Sequence, residues 1–279
     1  MPKRLTIAFQ GEHGAFSEEA ASAYCASLNH TPVAVSRPYA SFTKVFDAVQ
    51  KKEVNAGIIP IENSLFGSVH ENYDLLDRYP LNIIGEVKLR VNHMLMAIPG
   101  VKLGDIRHVY SHPQALGQCD QYLQTLHNVE IVAVYDTAGS AKMISEQRMR
   151  SSAAIASVVA ARLYGLHILK RGIESNHHNY TRFLVLSRRP VPAKNNAKTS
   201  IIFSLKSIPG ALFKALSVFA LRNIDLEKIE SRPIMGKPWE YLFYLDFSGS
   251  IADKNCRHAL EALGDVTSHL RILGSYTKV

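Results

Sequence analysis

Apolar positions along the first 186 residues come in short runs, each followed by a polar loop and then by a stretch in which they recur every three or four residues. That rhythm of strand, loop and helix predicts an α/β domain with largely parallel sheets. Leu5 to Phe9 reads as the first strand and Gln10 to Ala15 as a glycine-containing loop. Phe16-Ser17-Glu18-Glu19 then opens a helix whose early acidic residues suit the positive end of its dipole. Ser41 caps a second helix with Phe42, Val45, Phe46 and Val49 on one face, and a buried strand, Ala56 to Ile61, runs into Glu62-Asn63-Ser64. Ile83 to Ile98 reads as one long β-rich segment able to carry the chain from one lobe to another. Arg107 to Tyr110 ends at Ser111-His112, with Pro113 suited to the first helical position, and Glu130 to Tyr135 ends at Asp136-Thr137 ahead of a helix from Ala138. A last strand, Phe183 to Leu186, is introduced by Asn179 to Arg182.

Periodicity disappears over Ser187 to Thr199, where proline, asparagine and lysine accumulate, and this is the expected domain boundary. The division it predicts is a catalytic domain of two lobes around a cleft at 1–187, a linker at 188–199 and a second domain at 200–279. The second domain reads as strand Ser200 to Lys206, helix Gly210 to Leu221, strands Leu226 to Pro233 and Glu240 to Phe247, helix Asp253 to Leu263 and strand Val266 to Tyr276. That is a ferredoxin-like βαββαβ order. Asn223 is placed at the first helix's C-cap, with Asp253 and Gly264 bracketing the second helix.

Composition changes this picture little. With 279 residues, 47% hydrophobic and 20% charged, the chain is long enough for two cores. A net charge of +8 raises nucleic acid as a partner, but the basic residues are scattered and form no stripe, so an anionic small substrate is expected and nucleic acid is not. No apolar run approaches the roughly 18 residues of a membrane span, so no membrane is expected as a partner. Cys25, Cys119 and Cys256 are odd in number and widely spaced, and the apolar run after Met1-Pro2-Lys3-Arg4 is too short for a signal peptide. Together these predict reduced thiols in a cytoplasmic protein. His167, His177 and His178 match no zinc spacing, so no metal is expected.

In open α/β sheets, ligands gather at the carboxyl ends of strands, where helix N-termini offer unpaired N–H groups. Three polar clusters fall there: Glu62-Asn63-Ser64, Ser111-His112 and Asp136-Thr137. Each alone reads as a helix cap, but their joint placement predicts a shared cleft. At Asn179-Tyr180-Thr181-Arg182-Phe183, Arg182 is placed to hold a carboxylate bidentately and Thr181 to offer a neutral donor beside it. On the residues alone, a loop with an exposed arginine and a core phenylalanine is the competing reading.

Thr181-Arg182-Phe183 resembles the threonine-arginine-phenylalanine signature of prephenate dehydratases. Gly11 to Ala20, Pro60-Ile61-Glu62-Asn63-Ser64 and Ser111 to Cys119 are similar to other blocks of that family in the same order. Ser207-Ile208-Pro209-Gly210-Ala211-Leu212 and Glu230-Ser231-Arg232-Pro233 resemble the two phenylalanine-binding stretches of its ACT regulatory domain. The resemblance covers essentially the whole chain and starts at Leu5, which implies a monofunctional enzyme. It implies a two-lobed, periplasmic-binding-protein-like catalytic domain followed by an ACT domain. The implied reaction is conversion of prephenate to phenylpyruvate, carbon dioxide and water, without metal or other cofactor, under feedback by L-phenylalanine in a homodimer or homotetramer.

By the same resemblance, Thr181 donates to the departing oxygen, and Asn63, Ser111 and Gln118 complete the catalytic group. Arg182, Phe183, Glu62, Ser64 and Thr137 surround the substrate, with Glu62 read as a support for its loop in preference to a proton source. His112 is read as lying behind the residues that touch substrate. For the effector, the turn at Pro209, Gly210, Ala211 and Leu212 meets the amino acid's carboxylate, and Glu230, within Glu230-Ser231-Arg232-Pro233, neutralises its ammonium across a dimer interface. Two other readings stay open: arogenate as the substrate, and a small-molecule binding protein without catalysis.

Overall fold

The short apolar runs become strands and the amphipathic stretches become helices in the computed structural model, which describes residues 5–28, 34–193, 196–234 and 236–278. Met1 to Arg4 and positions 194–195 of the expected linker lie outside the described residues. The chain begins β1 (Leu5–Gln10), α1 (Phe16–Ser27), β2 (Ala34–Tyr39), α2 (Phe42–Gln50), β3 (Ala56–Asn63), β4 (Gly67–Ser68), α3 (His70–Arg78) and β5 (Asn82–Arg90). It continues β6 (Met94–Ala97), β7 (His108–Ser111), α4 (Pro113–Gln118), α5 (Asp120–Leu123), β8 (Glu130–Ala133), α6 (Thr137–Glu146), β9 (Ser152–Ala156), α7 (Val158–Leu163), β10 (His167–Arg171) and β11 (Tyr180–Ser187). The remainder is β12 (Ala197–Leu205), α8 (Ala211–Ala220), β13 (Leu226–Pro233), β14 (Tyr241–Ser248), α9 (Lys254–Val266) and β15 (Thr267–Thr277).

Two compact units result, one of Met1–His70 with Val87–Phe183 and one of Glu71–Glu86 with Leu184–Val279. The first unit carries two sheets. One has the order β2-β1-β3-β11-β5, with β4 on β3, and β5 and β11 each run on past the division between the units. The other has the order β10-β6-β9-β7-β8. β1 lies parallel to β2 and β3, and β7 lies parallel to β8 and β9, the arrangement the strand-helix rhythm requires. Ile7, Ala8 and Phe9 are all buried, as expected of a strand covered on both faces, and so are Val45, Phe46 and Val49 on the predicted face of α2. Leu95, Val109, Leu116, Ala153 and Ile155 pack in the core around the second sheet.

The loop after β1 crosses to the second lobe. Gly14 has φ +90°, and a Cβ there would come within 2.8 Å of the Ala160 backbone, so glycine permits both the turn and the approach to α7. Ser157 Oγ donates to the Gly14 carbonyl at 2.7 Å while accepting from the Ala160 N–H, capping α7. The expected single segment Ile83 to Ile98 is instead two strands broken at Val91-Asn92-His93, where the Val91 N–H leaves β5 to donate to the Asn179 carbonyl at 2.8 Å. The polar pair Asn92-His93 marks the break, which the β-rich residues on either side conceal in a reading by composition.

The second unit has the antiparallel order β13-β14-β12-β15 with α8 and α9, the ferredoxin-like pattern read from the sequence. Ile201, Phe203, Phe219, Leu245, Phe247 and Leu263 fill its core. Gly210, at φ +76°, opens α8. α9 runs through Gly264 to Val266, two residues beyond the expected cap, and Asn223, at φ 54°, falls after the Leu221 C-cap of α8. The unit also takes residues 71–86, whereas the linear reading divides the chain only at 187–200. Polar anchors account for that. Arg271 on β15 donates to the carbonyls of Leu76, Asp77, Tyr79 and Leu81 at the end of α3, and Tyr244 Oη donates to the Tyr73 carbonyl.

Candidate active site

A cavity of about 380 Å³ opens within the first unit at the carboxyl ends of its strands. Asn63, Gln118, Thr137, Thr181 and Phe183 line it, together with Gln10, Phe16, Ser17, His93, His112, Tyr135 and Asp136. Thr181 and Phe183 sit two apart on β11 and so share a face. Arg182 between them turns the other way, is buried, and lies 3.8 Å from Glu62 across the β3–β11 pair. The sequence reading of Arg182 as a carboxylate clamp therefore does not fit this geometry. Side-chain alternation on a strand places adjacent residues on opposite faces, and Arg182 with Glu62 braces the back of the wall.

Ser64 and Ser111 are also occupied elsewhere. Ser64 Oγ donates to the His178 carbonyl at 2.8 Å and accepts from the Tyr180 N–H at 2.9 Å, joining the exit of β3 to the entry of β11. Ser111 is fully buried, with Oγ donating to the Ile155 carbonyl at 2.7 Å and tying β7 to β9. Both serines shape the cavity without lining it.

The front of the wall is organised by Asn63. Its Oδ1 accepts from the backbone N–H groups of Leu65 at 3.0 Å and Phe66 at 3.1 Å. Backbone N–H groups only donate, so the amide orientation is settled, and Nδ2 must face Asn179 Oδ1 at 2.7 Å and Thr181 Oγ1 at 2.9 Å. The Thr181 oxygen accepts from Asn63, so this bond does not use the hydroxyl's own proton.

No lysine or arginine lines this cavity among the described residues. Helix starts line it instead, with Ala15, Phe16 and Ser17 at α1, Phe42 at α2, and Asp136 and Thr137 at α6, and such ends carry positive potential. Asp136 Oδ1 accepts from the Gly139 N–H at 2.6 Å to cap α6, while burial raises its carboxyl above the ordinary range. His112 accepts the Gln114 N–H on Nδ1 at 3.2 Å, so a neutral ring carries its proton on Nε2. Burial lowers its pKa and favours that neutral form.

A family model described as prephenate dehydratase matches residues 7–191. The chain belongs to the prephenate dehydratase family. It is 48% identical over 285 residues to the Arabidopsis thaliana arogenate dehydratase/prephenate dehydratase 2, covering 98% of this chain and 73% of the relative. Among solved structures it is similar to the Arthrobacter aurescens prephenate dehydratase in complex with L-Phe, at 31% identity and a TM-score of 0.88 over 98% of this chain and 90% of that one. It is also similar to GqqA, described as a novel type of quorum quenching acylase, at 33% identity and a TM-score of 0.88 over 98% of both chains.

The dehydratase is thus a lyase of aromatic amino acid biosynthesis. One expectation is overturned. The Arabidopsis relative and its counterpart numbered 1 are both named chloroplastic, pointing to a plastid and against the cytoplasm. The lack of an apolar signal run and of a membrane span in the sequence does not bear on a plastid. Among the described residues no helix is long and apolar enough to cross a membrane, and no group of histidine, cysteine and carboxylate side chains is arranged to hold a metal ion.

The sequence does not point to His93 or Tyr135 as lining residues, and it places His112 behind the residues that touch substrate, although both His112 and Asp136 belong to the strand-end clusters that predict the cleft. Asp136 both caps α6 and lines the cavity, so the capping reading and the cleft reading hold together at this residue. In the second unit, a separate cavity of about 320 Å³ is lined by Leu205, Pro209, Ala211, Leu212, Trp239 and Phe243 among others. Glu230, Ser231, Arg232 and Pro233 lie on β13 and not on its lining. Ser231 and Pro233 nevertheless pair in register with Phe243 and Tyr241, which do line it. Arg232 is engaged by Asp74 at 3.1 Å, and Glu230 lies 3.7 Å from Lys228.

Proposed function

We propose that the cavity of the first unit converts prephenate to phenylpyruvate, with Thr181 as the hydrogen-bond donor to the leaving hydroxyl. In this step the bond between the ring and its carboxylate breaks, carbon dioxide departs, and that electron pair enters the ring. The carbon–oxygen bond opposite then breaks, and the departing hydroxide, hydrogen-bonded by Thr181, takes up one proton from the solvent to leave as water. Aromaticity supplies much of the driving force, so the protein's tasks are orientation and stabilisation of charge on the departing oxygen. The observation that carries the reading is the hydrogen-bond polarity at Asn63, which leaves the proton of the cavity-lining Thr181 unspent on that neighbour.

His112 supplies a second donor in this scheme through Nε2, on the opposite lobe from Thr181. Asn63 positions Thr181, Gln118 and Thr137 contact the substrate's polar groups, and Phe16 and Phe183 pack against the ring. The substrate's carboxylates meet the helix starts instead of a cation. Arogenate differs from prephenate only in bearing an amino group in place of the ketone, and the same wall would process its ring. The relatives' names carry both activities, and the acylase likeness at 33% identity is weaker than the likeness to plant dehydratases.

In the second unit the proposal is an amino-acid effector, phenylalanine, seated where the Gly210 turn starts α8 beside the apolar Leu212, Trp239 and Phe243. Support comes from the L-Phe complex of the Arthrobacter enzyme. Exposed Phe213 on α8, Leu221 at its C-cap and Trp239 favour a homo-oligomer, a dimer or a tetramer, in which these side chains are covered. The test is phenylpyruvate formation by purified protein from prephenate and from arogenate, with and without phenylalanine. Turnover of prephenate that phenylalanine suppresses is expected. Folded protein inert towards both substrates overturns the reading.

A further inference from the structure

His93 lies buried between β5 and β6 at 2% exposure and lines the substrate cavity. One loop holds its backbone on both sides: its N–H donates to Glu174 Oε2 at 3.0 Å, and its carbonyl accepts from the Ile173 N–H at 3.2 Å. The next residue of that loop, Ser175, donates its N–H to the Gln118 carbonyl at 2.8 Å. The loop therefore fixes the spacing of His93 and Gln118, and His93 Nε2 sits 2.6 Å from Gln118 Oε1. Phe16 packs edge-on against the imidazole, with ring centroids 5.4 Å apart and planes at 87°.

A contact between an imidazole nitrogen and a primary amide can run in either direction, because the amide has both a donor and an acceptor. The other ring nitrogen decides between them. His93 Nδ1 is buried and has no hydrogen-bond partner among the described residues. A neutral imidazole carries a single N–H. Placed on Nδ1 it would be an orphaned buried donor, which is rarer and costlier than an unused lone pair. Burial also lowers the ring's pKa and keeps it neutral near pH 7.

We infer that His93 is a positioning residue whose Nε2–H donates to Gln118 Oε1, committing the Gln118 amide N–H groups to an oxygen of the anionic substrate. This mirrors Asn63, which likewise gives one fixed polarity to a neighbour and leaves a donor facing the cavity. Without His93 the Gln118 amide would be free to turn its oxygen inward, opposing a carboxylate. The inference rests on the reading of this cavity as the substrate site.

Nitrogen-15 NMR of histidine-labelled protein reads the tautomer directly without any substrate, with the His93 signal assigned by its loss in His93→Gln. The Nε2-protonated form is expected, and the Nδ1-protonated form overturns the inference. Steady-state kinetics of two variants give the second readout. His93→Leu should lose about tenfold to a hundredfold in kcat/KM, the scale of one hydrogen bond to a charged group. His93→Gln, whose amide nitrogen can stand near the position of Nε2, should recover most of that loss. Equal losses in both variants overturn the inference. Gln118→Leu with full turnover would instead sink the assignment of Gln118 to the substrate, whichever tautomer is found, so the two failures are distinguishable.

Discussion

In the first unit, Asn63 spends both ends of its amide on neighbours and leaves Thr181 a proton to donate, whereas in the second unit buried polar groups close on one another. There Lys198, 2% exposed, reaches Glu86 at 2.9 Å and Glu227 at 2.9 Å, and Glu227 also accepts from Lys278. Ser200 meets both Asp246 and Tyr276, and Thr199 meets Ser275. Both interiors are polar and both are buried, so burial of polar groups does not by itself mark a site. What separates them is direction: one network ends at a cavity with donors unspent, and the other ends on itself and fixes strand packing.

The largest effect that would break this comparison is on stability in the second unit. Lys198→Met removes the Lys198 ammonium from the buried Glu86 carboxylate, and a cost of about 3–5 kcal/mol is expected in urea unfolding. A loss below about 1 kcal/mol would show that the network is not structural in the way described.

A smaller effect sharpens the other side. Asn63→Asp keeps an acceptor for the Leu65 and Phe66 N–H groups but removes the donor to Thr181, whose proton then turns to the new carboxylate. The expected result is a fall in kcat of about tenfold to a hundredfold with little change in melting temperature. A loss of stability with unchanged kcat in the folded fraction would place Asn63 among the structural groups.

The smallest effect is on acid stability. Burial works to raise the Glu227 pKa, yet hydrogen bonds from Lys278, Ser248 and Lys198 bring it down to about 2 from 4.5. A carboxyl depressed in the folded state stabilises fully above its unfolded pKa and loses that contribution as pH falls. Urea midpoints should therefore decline between pH 4.5 and about 2, and Glu227→Gln should flatten that decline. An identical slope in the variant would contradict the assignment.

Much of this was legible in the sequence. The period-2 and period-3.6 patterns gave the strands, the helices and the βαββαβ order of the second unit, because each element is amphipathic or wholly buried. The strand-end rule brought Asn63, His112, Asp136 and Thr137 to one place, and the Thr181-Arg182-Phe183 motif added Thr181. What stayed hidden has physical reasons. Arg182 and Glu62 face away from the cavity because adjacent strand residues alternate, and a motif written in one line does not show which face is which. Ser111 lies at a strand end, but its hydroxyl is taken by the Ile155 carbonyl of a neighbouring strand, a pairing no local pattern encodes. Residues 71–86 join the second unit through Arg271 and Tyr244, nearly two hundred positions away in the case of Arg271. His93 sits in a β-rich segment that reads as one continuous strand, and only the break there exposes its role.

The central claim is that the Thr181 hydroxyl, oriented by Asn63, stabilises the departing oxygen. The most direct test is kcat for prephenate in Thr181→Val and Thr181→Ser, with folding checked by circular dichroism. Valine keeps the shape and loses the donor, so a fall of about a hundredfold to a thousandfold is predicted with KM little changed, while serine should retain most of the rate. Folded Thr181→Val turning over prephenate at nearly the parent rate would contradict the account.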